Sequence, residues 1–130
     1  MTIKPATVDD ILEMMDRNKR EFADFALLPD EQKRNLAQLN IDSGLAQSYF
    51  LDDKLVAVGG IRMIGLGEAW LAVDPDIKTT HKKTLMRESK TLLDDAKSQG
   101  IWCLFAVNKI SENFLRHLGF EKKTMYMRIK

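Results

Sequence analysis

Glu68-Ala69-Trp70-Leu71-Ala72-Val73-Asp74-Pro75 is the stretch whose reading decides the fold. Glu68 to Val73 are mostly apolar and β-favouring, and Pro75 stops them, because proline has no N–H for a strand ladder. A turn over 76–80 leads into a long helix, and the apolar spacing carries that helix from about Lys78 to Ser98. A strand that delivers the chain to a helix start makes an anion site. Free backbone N–H groups and the positive end of the helix dipole meet there.

Downstream, Leu85, Leu92, Leu93 and Ala96, with Met86 beside them, mark the buried face of that helix, and Gly100 ends it. Ile101 to Val107 is a continuous apolar run, the pattern of a strand buried on both faces. Strand, helix and buried strand make a βαβ unit with a right-handed crossover. Asn108 or Ser111 caps a short helix over 112–118, Gly119 closes it, and Lys122 to Ile129 alternates as a last strand. Upstream, Gln47 to Leu51, the turn Asp52-Asp53-Lys54 and Leu55 to Met63 predict an antiparallel hairpin. Gly59-Gly60 inside it points to a bulge or a close backbone approach. Gly65-Leu66-Gly67 turns the chain back into Glu68, so three adjacent strands form a meander.

The N-terminal third is helical. Residues 2–6 read as a short strand. Thr7 or Asp9 caps a helix that the spacing of Ile11, Leu12, Met14, Met15, Phe22 and Phe25 carries to about residue 26. Pro29 breaks it, a second helix runs from Asp30 to about Asn40, and Gly44 ends this region. The expected order is β-α-α-β-β-β-α-β-α-β.

A length of 130 residues suits one domain over the whole chain, and 45% hydrophobic with 30% charged residues is the composition of an ordinary soluble domain. Charge is unevenly spread. Residues 1–53 carry 6 Lys/Arg against 11 Asp/Glu, and residues 54–130 carry 14 against 8, so an anionic ligand belongs with the second half. The single cysteine, Cys103, excludes an internal disulfide and reads as a small buried hydrophobe. No apolar run is long enough to span a membrane and no signal-peptide pattern opens the chain, so a cytoplasmic location is expected. No metal site is expected. Near-zero net charge and the lack of an aromatic platform beside the basic helix argue against a nucleic-acid partner.

The element order, the Ala72-Val73-Asp74-Pro75-Asp76 segment and the Leu118-Gly119-Phe120-Glu121 tail resemble the GCN5-related N-acetyltransferases over nearly the whole chain. The resemblance implies an α/β fold with a mixed, mostly antiparallel sheet. A parallel βαβ pair would stand at a cleft for acetyl-CoA, the co-substrate. It also implies an amine acceptor and allows a homodimer. The family's pyrophosphate loop carries an Arg or Gln and two spaced glycines. Those positions are occupied here by Lys78, His81 and Lys83, so both glycines are missing. Residues 78–90 compensate in charge, with Lys78, Lys82, Lys83, Arg87 and Lys90 against Glu88.

By the same resemblance, backbone groups of Leu71, Ala72 and Val73 bond the pantetheine arm, and Asn108 and Phe114 lie against the cofactor. Glu68 is the candidate general base. The position of the family's proton-donating Tyr holds Leu115, which has no proton to give, so Ser111, His117 or water takes that role. The acceptor is expected between the first two helices and the strand from Glu68. The acids Asp9, Asp10, Glu13, Asp16, Glu21 and Asp24 would favour a cationic amine or a Lys-bearing protein. A narrower likeness is to the short acetyltransferase-like proteins of tailed bacteriophages. It implies a second possibility, a non-catalytic structural or host-protein-binding module in the virion or host cytoplasm.

Overall fold

The computed structural model describes residues 1–64, 66–101, 104–106 and 112–121. In chain order they form β1 (Thr2–Pro5), α1 (Val8–Arg17), α2 (Ala23–Ala26), α3 (Asp30–Asp42), β2 (Gly44–Leu51), β3 (Lys54–Ile64), β4 (Leu66–Val73), α4 (Thr79–Ser98), β5 (Leu104–Ala106) and α5 (Glu112–His117). The described strands make one sheet in the order β1-β2-β3-β4-β5. Neighbours are antiparallel except β4 and β5, which are parallel. The expected mixed sheet with one parallel βαβ pair is therefore present. Cys103, Asn108, Ser111 and the last expected strand lie outside the described residues.

Strand alternation sends side chains to two cores. Val58, Trp70 and Ala72 pack with Ile11, Met14 and Met15 of α1 and Ala37 of α3. Tyr49, Val56 and Ala57 pack with Leu85 of α4, and Leu71 and Val73 lie against that cluster. Successive β4 residues thus serve opposite helix layers, with Leu71 and Val73 toward α4 and Trp70 and Ala72 toward α1 and α3.

Two expectations are corrected and one alternative is decided. The first helix stops at Arg17, not near residue 26, and 23–26 form a separate turn of helix. Asn18 is the reason. Its side-chain Nδ2 donates to the Met14 carbonyl at 2.8 Å and its backbone N–H to the Met15 carbonyl, which closes the helix. Gly44 does not end the helical region but opens β2, since Ser43 is the C-cap of α3. A Cβ at Gly44 would sit 1.9 Å from the Ile61 carbonyl oxygen, so glycine is needed for the close approach of β2 to β3. Of the two readings of Gly59-Gly60, the close approach holds: the bulge lies between Tyr49 and Phe50, and Gly59-Gly60 pair in register with Gln47 and Ala46. Gly60 serves the close approach, because a Cβ there would meet the Leu45 carbonyl oxygen at 1.9 Å. The hairpin turn is as expected: Asp52 and Asp53 have φ of 48° and 64°, the left-handed pair of a two-residue loop.

Candidate functional site

The site is built around the two ends of β4. At its start, β4 is bonded on both sides: Gly67, Glu68 and Ala69 pair with Leu104, Phe105 and Ala106 of β5, and the whole strand pairs with β3. The pairing to β3 continues to Val73.

At its far end β4 runs into Asp74, only 7% exposed. Its backbone N–H bonds the Val56 carbonyl at 2.8 Å, and its Oδ1 accepts the Asp76 N–H at 2.9 Å. Its Oδ2 takes Arg17 Nη1 at 2.9 Å, and the same nitrogen donates to the Leu55 carbonyl at 2.8 Å. Arg17 also pairs with Glu13 one turn back along α1. This bracket turns the chain sharply and aims the start of α4. Sequence reading missed it, since Arg17 and Asp74 are 57 residues apart.

The start of α4 is bare. Its N-cap is Lys78, with no side-chain cap bond and no acid in the first turn. The N–H groups of His81 and Lys82 bond the Lys78 carbonyl, whereas those of Thr79 and Thr80 find no acceptor among the described residues. Lys78, Lys82 and Lys83 are exposed around it and His81 is half-buried. None of these four forms an ion pair among the described residues. Unused N–H groups, the helix dipole and three ammonium groups all select for a negative charge.

Phe114 on α5 and Leu71 on β4, expected to share a ligand, do come together. With Tyr49, Ser89, Leu92 and Leu115 they line a cavity of about 30 Å³ between the sheet, α4 and α5. Tyr49 is 1% exposed and donates its hydroxyl to Gln47 Oε1 at 3.1 Å. Burial pushes its phenol up from 10.0 to about 12, and the charge of Glu88 adds to the rise. The Ser89 hydroxyl lies close by and works against the rise. It meets no hydrogen-bond geometry, so burial decides.

Glu68 sits at the other end of β4, about 17 Å from Val73 along an extended strand. It is not a free carboxylate. Arg62, directly opposite on β3, holds Nε 2.9 Å from Glu68 Oε1, at side-chain exposures of 31% and 13%. Burial pulls the Arg62 guanidinium below its ordinary pKa, and the Glu68 charge pushes it back up. The signal was present in the sequence: the two charges stand symmetrically about position 65, so a hairpin there pairs them. A cleft of about 660 Å³ lies between α1, α2 and α3 and is lined by Leu12, Glu13, Met15, Asp16, Phe25 and Lys33 among others, but not by Glu68. Several of the acids expected to attract a cation are already engaged. Asp9 pairs with Arg34 at 3.1 Å, Asp16 with Lys19 at 3.2 Å, and Glu13 with Arg17, while Asp10 accepts the Ser48 hydroxyl at 2.7 Å. No described helix is long and apolar enough to cross a membrane, and no metal-binding cluster occurs among the described residues.

No protein-family model matches this chain, and no curated protein matches it. Solved structures do. A GCN5-related N-acetyltransferase of Ralstonia eutropha overlays with a TM-score of 0.71 at 15% identity, covering 99% of this chain and 97% of its own. A predicted acetyltransferase of Clostridium acetobutylicum, solved with acetyl-CoA, gives 0.69 at 14% identity over 99% and 95%. The chain has the GCN5-related acetyltransferase fold. An aminoglycoside 6′-N-acetyltransferase of Acinetobacter haemolyticus shares this acetyltransferase fold with a TM-score of 0.61 at 20% identity over 100% and 99%. At such identities the likeness is one of fold, and the residues themselves must carry any further argument.

Proposed function

We propose that this protein is an acetyl-CoA-dependent N-acetyltransferase that acts on a primary amine, free or on a protein, by direct transfer in a ternary complex. The observation that supports it is the bare, cation-ringed start of α4, which follows β4, the strand paired in parallel with β5. The residues present fit the anionic end of the cofactor through charge and unused N–H groups, without the usual glycine cradle. Lys78, Lys82 and Lys83, with the amides of Thr79 and Thr80, hold that end and His81 flanks it. The backbone of Leu71, Ala72 and Val73 binds the arm, and Asn108 and Phe114 lie against it. Bound acetyl-CoA supplies the activated acetyl group. Glu68 takes the proton lost as the new N–C bond forms, and Ser111 or water protonates the thiolate released as the C–S bond breaks.

A second reading, a non-catalytic module of the phage type, is favoured by specific residues. His81 and Lys83 stand where the glycines would be, Leu115 where the proton-donating Tyr would be, and Glu68 is engaged by Arg62. Thermal unfolding with acetyl-CoA, against desulfo-CoA and free phosphate, separates the two. Ligand at a hundred times its dissociation constant should add about 2.7 kcal/mol, or roughly 10 °C in Tm. No shift at millimolar acetyl-CoA would remove the enzymatic reading, while a shift followed by thiol release with an amine panel would establish it.

A further inference from the structure

Arg62 and Trp70 form a patch beside Glu68 that the proposed reaction does not yet use. The Arg62 guanidinium carbon lies 5.7 Å from the centre of the Trp70 ring. Gly60, without a side chain, stands opposite Trp70 in the β3–β4 register, so the arginine crosses diagonally onto the ring unobstructed. The patch holds more donors than acceptors. Arg62 makes no hydrogen bond to any described residue: its buried Nε reaches Glu68 as a charge contact without hydrogen-bond alignment, and its Nη edge has no partner. Trp70 is 6% exposed, and its buried indole N–H has no acceptor among the described residues. A guanidinium presents five N–H donors in a planar fork. What this surplus lacks is a pair of oxygens in one plane, which a carboxylate supplies.

The position is equally specific. Glu68 and Trp70 stand two residues apart on β4 and so share one face of the sheet. The patch therefore lies beside the carboxylate given the proton-accepting role above. A second ammonium on the acceptor would meet the Arg62 charge there, and three acids of α1 that could have favoured it, Asp9, Glu13 and Asp16, are already paired.

We infer that the acceptor carries a carboxylate next to its amine, as an amino acid does. The Arg62 guanidinium, lying on the Trp70 ring, binds the carboxylate while Glu68 faces the amine. This rests on the acetyltransferase reading above, so acetyl-CoA affinity is titrated first and separately. Absence of acetyl-CoA binding would remove that reading, not the chemistry of this patch.

The direct test is binding followed by nitrogen-15 NMR on the full chain. The chain has two tryptophans, so Trp102→Phe leaves the Trp70 indole as a single resonance. N-acetylglycine, the smallest product of this class, should shift the Trp70 Nε1–H and Arg62 Nε–H resonances to saturation, and neutral N-methylacetamide should not. In turnover, glycine over methylamine and L-lysine over cadaverine should each be favoured by about tenfold or more in kcat/KM. Arg62→Met should abolish that preference and leave acetyl-CoA affinity unchanged. If that variant does not fold, Arg62→Lys, which keeps the charge and loses the fork, should still cut the preference severalfold. Equal shifts with both amides, equal turnover within each pair, or a preference that survives loss of Arg62 would overturn the inference.

Discussion

The two helices that flank the sheet, α1 and α4, begin in opposite ways. Thr7 accepts the Asp10 N–H at 3.2 Å and the Asp10 carboxylate accepts the Thr7 N–H at 3.3 Å, a reciprocal capping box, with Asp9 also in the first turn. The start of α4 has Lys78 at the cap, no acid in the first turn, and Lys82 and Lys83 on its positive end. One helix satisfies its own dipole. The other is set against its own dipole, which costs stability unless an anion from outside completes it. The difference leaves α1 complete in itself and α4 open at its start, and Arg17 joins them by holding Asp74 from the end of α1.

The largest effect is expected where the two helices are linked. Asp74→Ala leaves Arg17 only Glu13 and the Leu55 carbonyl and frees the Asp76 N–H, so urea unfolding should show a loss of about 2–4 kcal/mol from the two bonds lost. A loss below ~0.5 kcal/mol would mean that the bracket does not hold the start of α4. Next is charge reversal at the bare end. Lys82→Glu with Lys83→Glu should weaken acetyl-CoA binding by about a hundredfold, from two charge-assisted contacts, and leave the unfolding transition in place. Unchanged affinity by calorimetry would sink the site.

Comparable in size at its limit is the alkaline response of Tyr49. Its phenol is raised from 10.0 to about 12 in the folded chain. The folded state therefore holds this proton more tightly than the unfolded state. Its contribution is complete below pH 10 and lost as pH rises through 12, about 2–3 kcal/mol in all. Tyr49→Phe should flatten that fall in alkaline unfolding curves. An unchanged slope would place the titration elsewhere.

The smallest effects sharpen the comparison most. Thr7→Ala removes the α1 cap and should cost about 1 kcal/mol. Lys78→Ser gives α4 a cap like that of α1 and should stabilise the chain by about 0.5–1 kcal/mol while lowering acetyl-CoA affinity. If both substitutions destabilise alike, the start of α4 is not held open for a ligand.

Much of the fold was legible from local patterns. The meander, the long helix after Pro75 and the parallel unit follow from periodicity and breakers, whose physics is confined to a few neighbouring residues. The lysine-rich start of α4 was legible for the same reason, because its charges are a local feature. What failed was also local in appearance. Asn18 ended α1 through a side-chain bond that the apolar spacing up to Phe25 masked, and Gly44 read as a helix end where it opens β2. Only packing shows whether a glycine ends an element or lets two strands approach.

The sequence by itself determined the order of the described strands, the division of charge between the two halves and the basic helix after β4, since each rests on interactions within a turn or a strand. Tertiary structure decided the rest. It brought Arg17 to Asp74 across 57 positions and paired β4 in parallel with β5. It also set Arg62 and Trp70 beside Glu68, turning a free carboxylate into one member of a cluster. These outcomes depend on strand register and on which backbone reaches which side chain, and both are settled only when distant segments pack.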